Sequence, residues 1–139
     1  MLFMCAMFAG CSGKDGSSHK TAIDLDISKM SGVLAYSTVV NISESANEYM
    51  GKTVKIRGQY YATFYDETQK YYHWVVVGDE TLCCRQGLEF VWDGDHRYPG
   101  DYPDNETDIE VVGVFGSYDE LGRTYYFLTV DDIEILKKQ

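Results

Sequence analysis

The sequence predicts a mainly β fold, a small barrel of five to six strands with one or two helices on its N-terminal side. Three observations carry this. From Thr53 onward, apolar and polar residues alternate with a period of two in several separate runs, the pattern of half-buried strands. Turns and loops rather than helical stretches separate these runs, which excludes βαβ alternation and a doubly wound parallel sheet. The one region of helical spacing, between Met30 and Met50, precedes the first strand. The 139 residues are enough for one domain.

Each element has its own signal. Met30, Val33, Leu34, Ser37 and Val40 recur at intervals of three and four, with Ala35, Tyr36 and Val39 beside them, as on one amphipathic helix face. A second short helix is expected over residues 44–49, with Ser43 as its N-cap and Gly51 as its stop. The first strand follows, with Val54, Ile56, Gly58, Tyr60, Ala62 and Phe64 alternating with polar neighbours and Tyr61. It is long enough to curve around a barrel, and Gly58 marks a bend or bulge. Residues 66–69 form a hairpin loop. The second strand, residues 71–77, places Tyr72, Trp74 and Val76 on one face and Tyr71, His73 and Val75 on the other. Leu88, Phe90 and Trp92 alternate with Glu89 and Val91 in a third strand, and a long acidic loop runs over residues 93–108. Residues 109–115 and 124–130 make another hairpin, and residues 133–136 a last short strand.

Residues 1–11, MLFMCAMFAGC, are apolar or small and carry no charge, and the composition turns polar and flexible directly after Cys11. Eleven residues are too few to span a bilayer, which takes roughly 20; they match the apolar core and small-residue cleavage site of a secretory signal. Phe8-Ala9-Gly10-Cys11 resembles the bacterial lipobox, with Phe8 where Leu is usual. That resemblance implies that Cys11 becomes lipid-modified, for example with palmitate, and forms the mature N-terminus. The chain then divides into a signal segment (1–11), a flexible Gly/Ser-bearing tether (12–27) and a single domain (28–139). It would sit on the extracytoplasmic face of the cell membrane.

Twisted, Gly-bent strands with a short helix beside them fit an OB-like barrel best. The segment from Tyr49 through Gly51-Lys52-Thr53-Val54-Lys55-Ile56-Arg57-Gly58 is similar to the first strand of many small bacterial OB-fold proteins. Together with Cys83-Cys84-Arg85-Gln86-Gly87-Leu88, the chain resembles uncharacterised OB-fold lipoproteins of Gram-positive bacteria. It is also similar to the extracytoplasmic OB-like part of permease subunits with a paired cysteine at a comparable place. The resemblance covers residues 43–136 and implies a fold and a location, with a transporter or envelope protein as partner, but no reaction.

The charge balance narrows the function classes. With 12 Lys+Arg against 22 Asp+Glu, the formal net charge is −10, which argues against nucleic acid, whose phosphates are held by cations. Asp93, Asp95, Asp101, Asp104, Glu106, Asp108 and Glu110 fall close together, opposed there by Arg97 alone, and mark where a cationic partner would dock. The segment departs from the calcium-loop pattern and reads as a solvated loop stiffened by Pro99 and Pro103 and pinned by its tyrosines. No G-x-S-x-G, H-E-x-x-H or phosphate-binding glycine loop occurs, so the chain is not expected to be an enzyme.

Two candidate sites remain. With Cys5 lost in the signal and Cys11 lipidated, Cys83 and Cys84 are the remaining thiols, too strained as neighbours to bridge readily. Thiolates bind Zn²⁺ or Cu⁺, and His73 on the preceding strand is their candidate third ligand. Side chains next to one another on a strand point to opposite faces, however, and no C-x₂-C spacing is present. The second candidate is a ligand- or partner-binding sheet face bearing Tyr61, Tyr71 and Tyr126. Cross-strand packing is the alternative role for these rings. The function expected is a membrane-anchored extracytoplasmic OB-fold binding module of an envelope or transport complex, with a metal-handling lipoprotein as the alternative.

Overall fold

A computed structural model of the protein describes residues 21–79, 81 and 83–138. Cys11, the expected signal segment and most of the expected tether lie outside the described residues. The elements in chain order are β1 (Leu25–Asp26), α1 (Gly32–Glu44), α2 (Ala46–Tyr49), β2 (Thr53–Tyr65), β3 (Lys70–Gly78), β4 (Arg85–Trp92), β5 (Asp108–Glu120) and β6 (Arg123–Ile135). The fold is mainly β, as the alternating runs predict. One sheet holds the strands in the order β1-β2-β3-β4-β6-β5, and β2 also pairs with β5, so that hydrogen bonds run in a ring through five strands. The β4–β6 and β1–β2 pairs are parallel, the others antiparallel.

The length of β2 closes the ring. Thr53–Gln59 pairs with β5 and Gln59–Tyr65 with β3, so one strand serves two neighbours in succession. Gly58 stands at this handover, where a Cβ would collide with the carbonyl oxygen of Val76. Glycine is needed there for close backbone approach. The register irregularity lies on β5, between Val111 and Gly113.

Period-two burial places Val54, Ile56, Tyr60, Val75, Leu88, Phe90 and their counterparts from β5 and β6 inside the ring. Helix α1 packs against this core with Ala35, Val39 and Ile42. Val33 and Leu34, expected on that stripe, are instead 63% and 52% exposed. The reason is steric: a Cβ on Gly32 would meet the carbonyl oxygen of Gly78 at 2.6 Å, so the helix start lies against the end of β3 and its rotation is set there. The second helix begins at Ala46 with Ser45 as N-cap rather than Ser43, because α1 continues to Glu44 and Ser43 Oγ donates to the Val39 carbonyl at 3.1 Å. Gly51, with φ +77°, supplies the left-handed residue that ends it.

Three boundaries move. The expected tether to residue 27 is ordered at its end: Leu25 and Asp26 pair with Val54 and Lys55, and Ile27 joins the core. The Asp24 carboxylate accepts the Thr53 N–H at 2.8 Å, which fixes this register. The expected separate strand 133–136 is the end of β6, which pairs with β5 as far as Ile135. The acidic segment after β4 is tied to β2 by reciprocal backbone hydrogen bonds of 2.8 Å, Tyr60 N–H to Thr107 and Glu106 N–H to Tyr60. Its Tyr98 and Tyr102 pack against the core.

Candidate functional site

The residues of the thiol site are not brought together. Cys83 and Cys84 are both exposed, and their N–H groups turn onto Asp79 Oδ1 at 3.1 and 3.4 Å. His73 points to the inner face of β3, half-buried, where its Nδ1 stands 2.8 Å from the Tyr60 hydroxyl and its ring stacks on Tyr102 at 4.0 Å. Burial lowers its pKa to about 4, so at neutral pH an uncharged imidazole shares this hydrogen bond with the Tyr60 hydroxyl. Five residue steps along β3 lead from His73 to Gly78 at its end, a rise of about 17 Å. Among the described residues no group of three His, Cys, Asp or Glu side chains is placed to hold a metal ion.

The three tyrosines occupy different faces. Tyr61 is on the outer face of β2, where its hydroxyl accepts from Arg85 Nη1 at 3.0 Å. Tyr71 belongs to the inner series of β3 and packs at the mouth of the ring between Phe64 and Tyr98, at 5.0 and 4.3 Å. Tyr126 also points inward, stacked on Phe115 at 5.8 Å. Alternation along each strand is the cause: Tyr71 shares the parity of Val75, and Tyr126 that of Leu128.

The outer surface of β3, β4, β5 and β6 carries a different constellation. Registers Trp74↔Glu89, Glu89↔Phe127 and Tyr118↔Tyr125 bring these side chains to one face. Around them lies a pocket of about 100 Å³, walled by Tyr65, Tyr72, Trp74, Tyr118 and Tyr125, with Glu89 and Glu120 in its lining. Glu89 is only 4% exposed although it lies on the solvent side of its strand. Burial, with Glu120 adding a smaller push, raises its pKa to about 7 against the opposing hydrogen bond from Tyr118. Burial together with the Glu89 contact raises the Tyr118 hydroxyl far above its ordinary value, so it stays protonated and donates.

The buried carboxyls Glu89 and Glu110, and the partly buried Glu120, are handled in opposite ways. Glu110, 8% exposed, receives Lys55 Nζ at 2.8 Å and Arg57 Nη2 at 3.0 Å. Glu120 receives Lys70 Nζ at 2.9 Å and the Tyr72 hydroxyl. Among the described residues, no Lys or Arg forms an ion pair with Glu89. A buried carboxylate without a counter-ion is costly, so Glu89 holds a proton or waits for a cation.

A wider, open groove of about 910 Å³ lies beside α1 and carries Arg57, Arg85, Lys137 and Lys138, but no buried polar side chain lines it. The smaller pocket is therefore the better-formed site. Sequence reasoning did not single out Glu89, Trp74, Tyr72 or Tyr118. The available signal was the outward parity of aromatic residues on several strands; the burial of Glu89 depends on Tyr118, 29 residues away. Among the described residues no helix is long and apolar enough to cross a membrane. In comparisons with known proteins, no family model and no curated protein matches the chain.

Proposed function

We propose that the protein is a membrane-anchored, extracytoplasmic binding module with an OB-like barrel, held by lipid on Cys11 and serving an envelope or transport complex. The observation that carries the binding role is the aromatic-walled pocket on the outer face, with a buried carboxyl at its lining. Such a concave site, apolar in its walls and with few polar groups, is the form ligand sites take. Its place on the sheet supports the OB-like reading. The ring has five strands, with β2 bonded to both β3 and β5, and the pocket takes Tyr72, Trp74 and Glu89 from β3 and β4, second and third of the ring, beside Tyr118 and Tyr125 from β5 and β6. In OB folds the face of the second and third strands is the ligand-binding one. The lipobox-like Phe8-Ala9-Gly10-Cys11 supports the anchor.

Site-specific photo-crosslinking in cells tests the binding face. With p-benzoylphenylalanine replacing Tyr61 or Tyr65 on the outer face, discrete adducts are expected; at Val33, exposed on α1, they are not. Equal adducts at Val33, or none at either tyrosine, would overturn the assignment.

A further inference from the structure

We infer that the outer-face pocket takes a compact organic ammonium group, a primary or methylated amine, seated against Glu89 among the rings of Trp74, Tyr118 and Tyr125. The inference rests on the reading of this face as a binding surface and names the chemistry that it selects. Its first support is the count of donors. The Tyr118 hydroxyl stands 2.9 Å from both oxygens of Glu89, yet it has one proton to give. An ionised Glu89 thus has acceptor capacity that the protein leaves unfilled.

The second support is the contrast with two other carboxyls of the sheet. Glu110 and Glu120 have their lysine or arginine, and the buried Glu89 lines a pocket instead. A cation supplied from outside would complete the pattern. The third support is the wall. Aromatic faces attract ammonium groups through the ring quadrupole, most strongly when water is excluded, and this is how methylated amines are recognised. The volume of about 100 Å³ sets the size: at about 30 Å³ per water it holds roughly three waters, enough for an ammonium head and little more.

Such an ammonium group has two sources, a free small amine or a lysine side chain of a polypeptide. The test uses the full chain in detergent micelles, with Trp92→Phe so that Trp74 is the only indole. Its fluorescence is titrated with n-butylammonium, tetramethylammonium and the neutral n-butanol. Saturable binding of the two cations is expected, at least tenfold tighter than butanol, and weakened at least tenfold by Glu89→Gln. The groups facing Glu89 are Tyr118 and Glu120 on β5, Tyr72 and Lys70 on β3, Tyr125 on β6 and Glu67 in the turn. Because burial holds Glu89 at about 7, cation binding should tighten by up to tenfold per pH unit as pH rises toward that value and level off above it.

Equal binding of butanol, or no response to any probe, would overturn the inference, and neither comparison depends on the folding of Glu89→Gln. Absence of ammonium binding alongside crosslinks at Tyr61 and Tyr65 would remove the ammonium group and keep the binding face; absence of both would remove both. A peptide with one central lysine separates the sources. Tighter binding than n-butylammonium, lost on replacement by norleucine, assigns the group to a polypeptide; equal or weaker binding assigns it to a free amine.

Discussion

The Tyr118 hydroxyl and the Glu89 carboxyl meet across the β4–β6–β5 surface, with the phenol oxygen 2.9 Å from each carboxyl oxygen. Burial raises the pKa of this carboxyl, on the solvent side of a strand, so that it stands near the midpoint of its titration at neutral pH, and the Tyr118 hydrogen bond opposes that rise.

Stability against pH follows from Glu89 and His73 acting in opposite directions. Burial raises Glu89 from 4.5 to about 7, so the folded chain keeps a proton the unfolded chain has lost, and stability falls as pH rises through that window. Burial lowers His73 from 6.5 to about 4, so the unfolded chain protonates first and stability falls as pH drops through that window. Each window is worth about 3 kcal/mol at most. Where they overlap, roughly pH 4.5 to 6.5, they largely cancel. Glu89→Gln should expose the histidine, giving a stability that climbs by about 1 kcal/mol per pH unit more steeply than wild type. Urea midpoints at pH 5, 5.5 and 6 measure this, and parallel curves for the two proteins would contradict it.

Gly58→Ala should destabilise by about 1–3 kcal/mol, since the added methyl meets the Val76 carbonyl where β2 passes from one neighbour to the other. Gly122→Ala is a useful comparison: space is open there, and its cost comes only from a φ of +76°. A lowered urea midpoint for Gly58→Ala, with a smaller loss at Gly122, is the expected order.

Glu110→Ala removes the partner of both Lys55 and Arg57. The lysine side chain is 25% exposed and the arginine 55%, so water recovers part of the loss and about 2 kcal/mol is expected at pH 7. Burial pushes Glu110 up, but hydrogen bonds and charge from Lys55 and Arg57 carry it below its ordinary value. Its contribution is therefore present above the ordinary glutamate range and fades as pH falls through the folded value. Equilibrium unfolding at pH 7 and pH 3 should show the deficit of the variant shrinking in acid.

The proposed lipid anchor is checked by labelling. Cells expressing the wild-type chain with labelled palmitate should yield a labelled, membrane-sedimenting protein, and Cys11→Ser should yield neither label nor sedimentation. A labelled Cys11→Ser product would place the modification elsewhere.

Much of the fold is legible in the residues. Val54, Ile56 and Tyr60 announce β2 by their spacing, and His73 and Val75 against Trp74 announce the two faces of β3, because side-chain direction in a strand is a local property. Gly51 likewise announces the end of α2. The helix face was not legible: Val33 and Leu34 are as apolar as the residues that pack, and the contact of Gly32 with Gly78 settles the rotation. The tyrosine site was legible only as a residue type, since Tyr61, Tyr71 and Tyr126 divide between outer and inner surfaces.

By itself, then, the sequence determined where β2 and β3 run, the alternation within each strand and the acidic balance, all of which depend on residues a few places apart. Tertiary structure alone decided that β4 lies parallel beside β6 and that Glu89, reading as a solvent-facing strand residue between Leu88 and Phe90, is buried against Tyr118 at the lining of a pocket. The reason is separation along the chain: burial of an outward residue is conferred by strands that arrive later, and no period in its own segment records them.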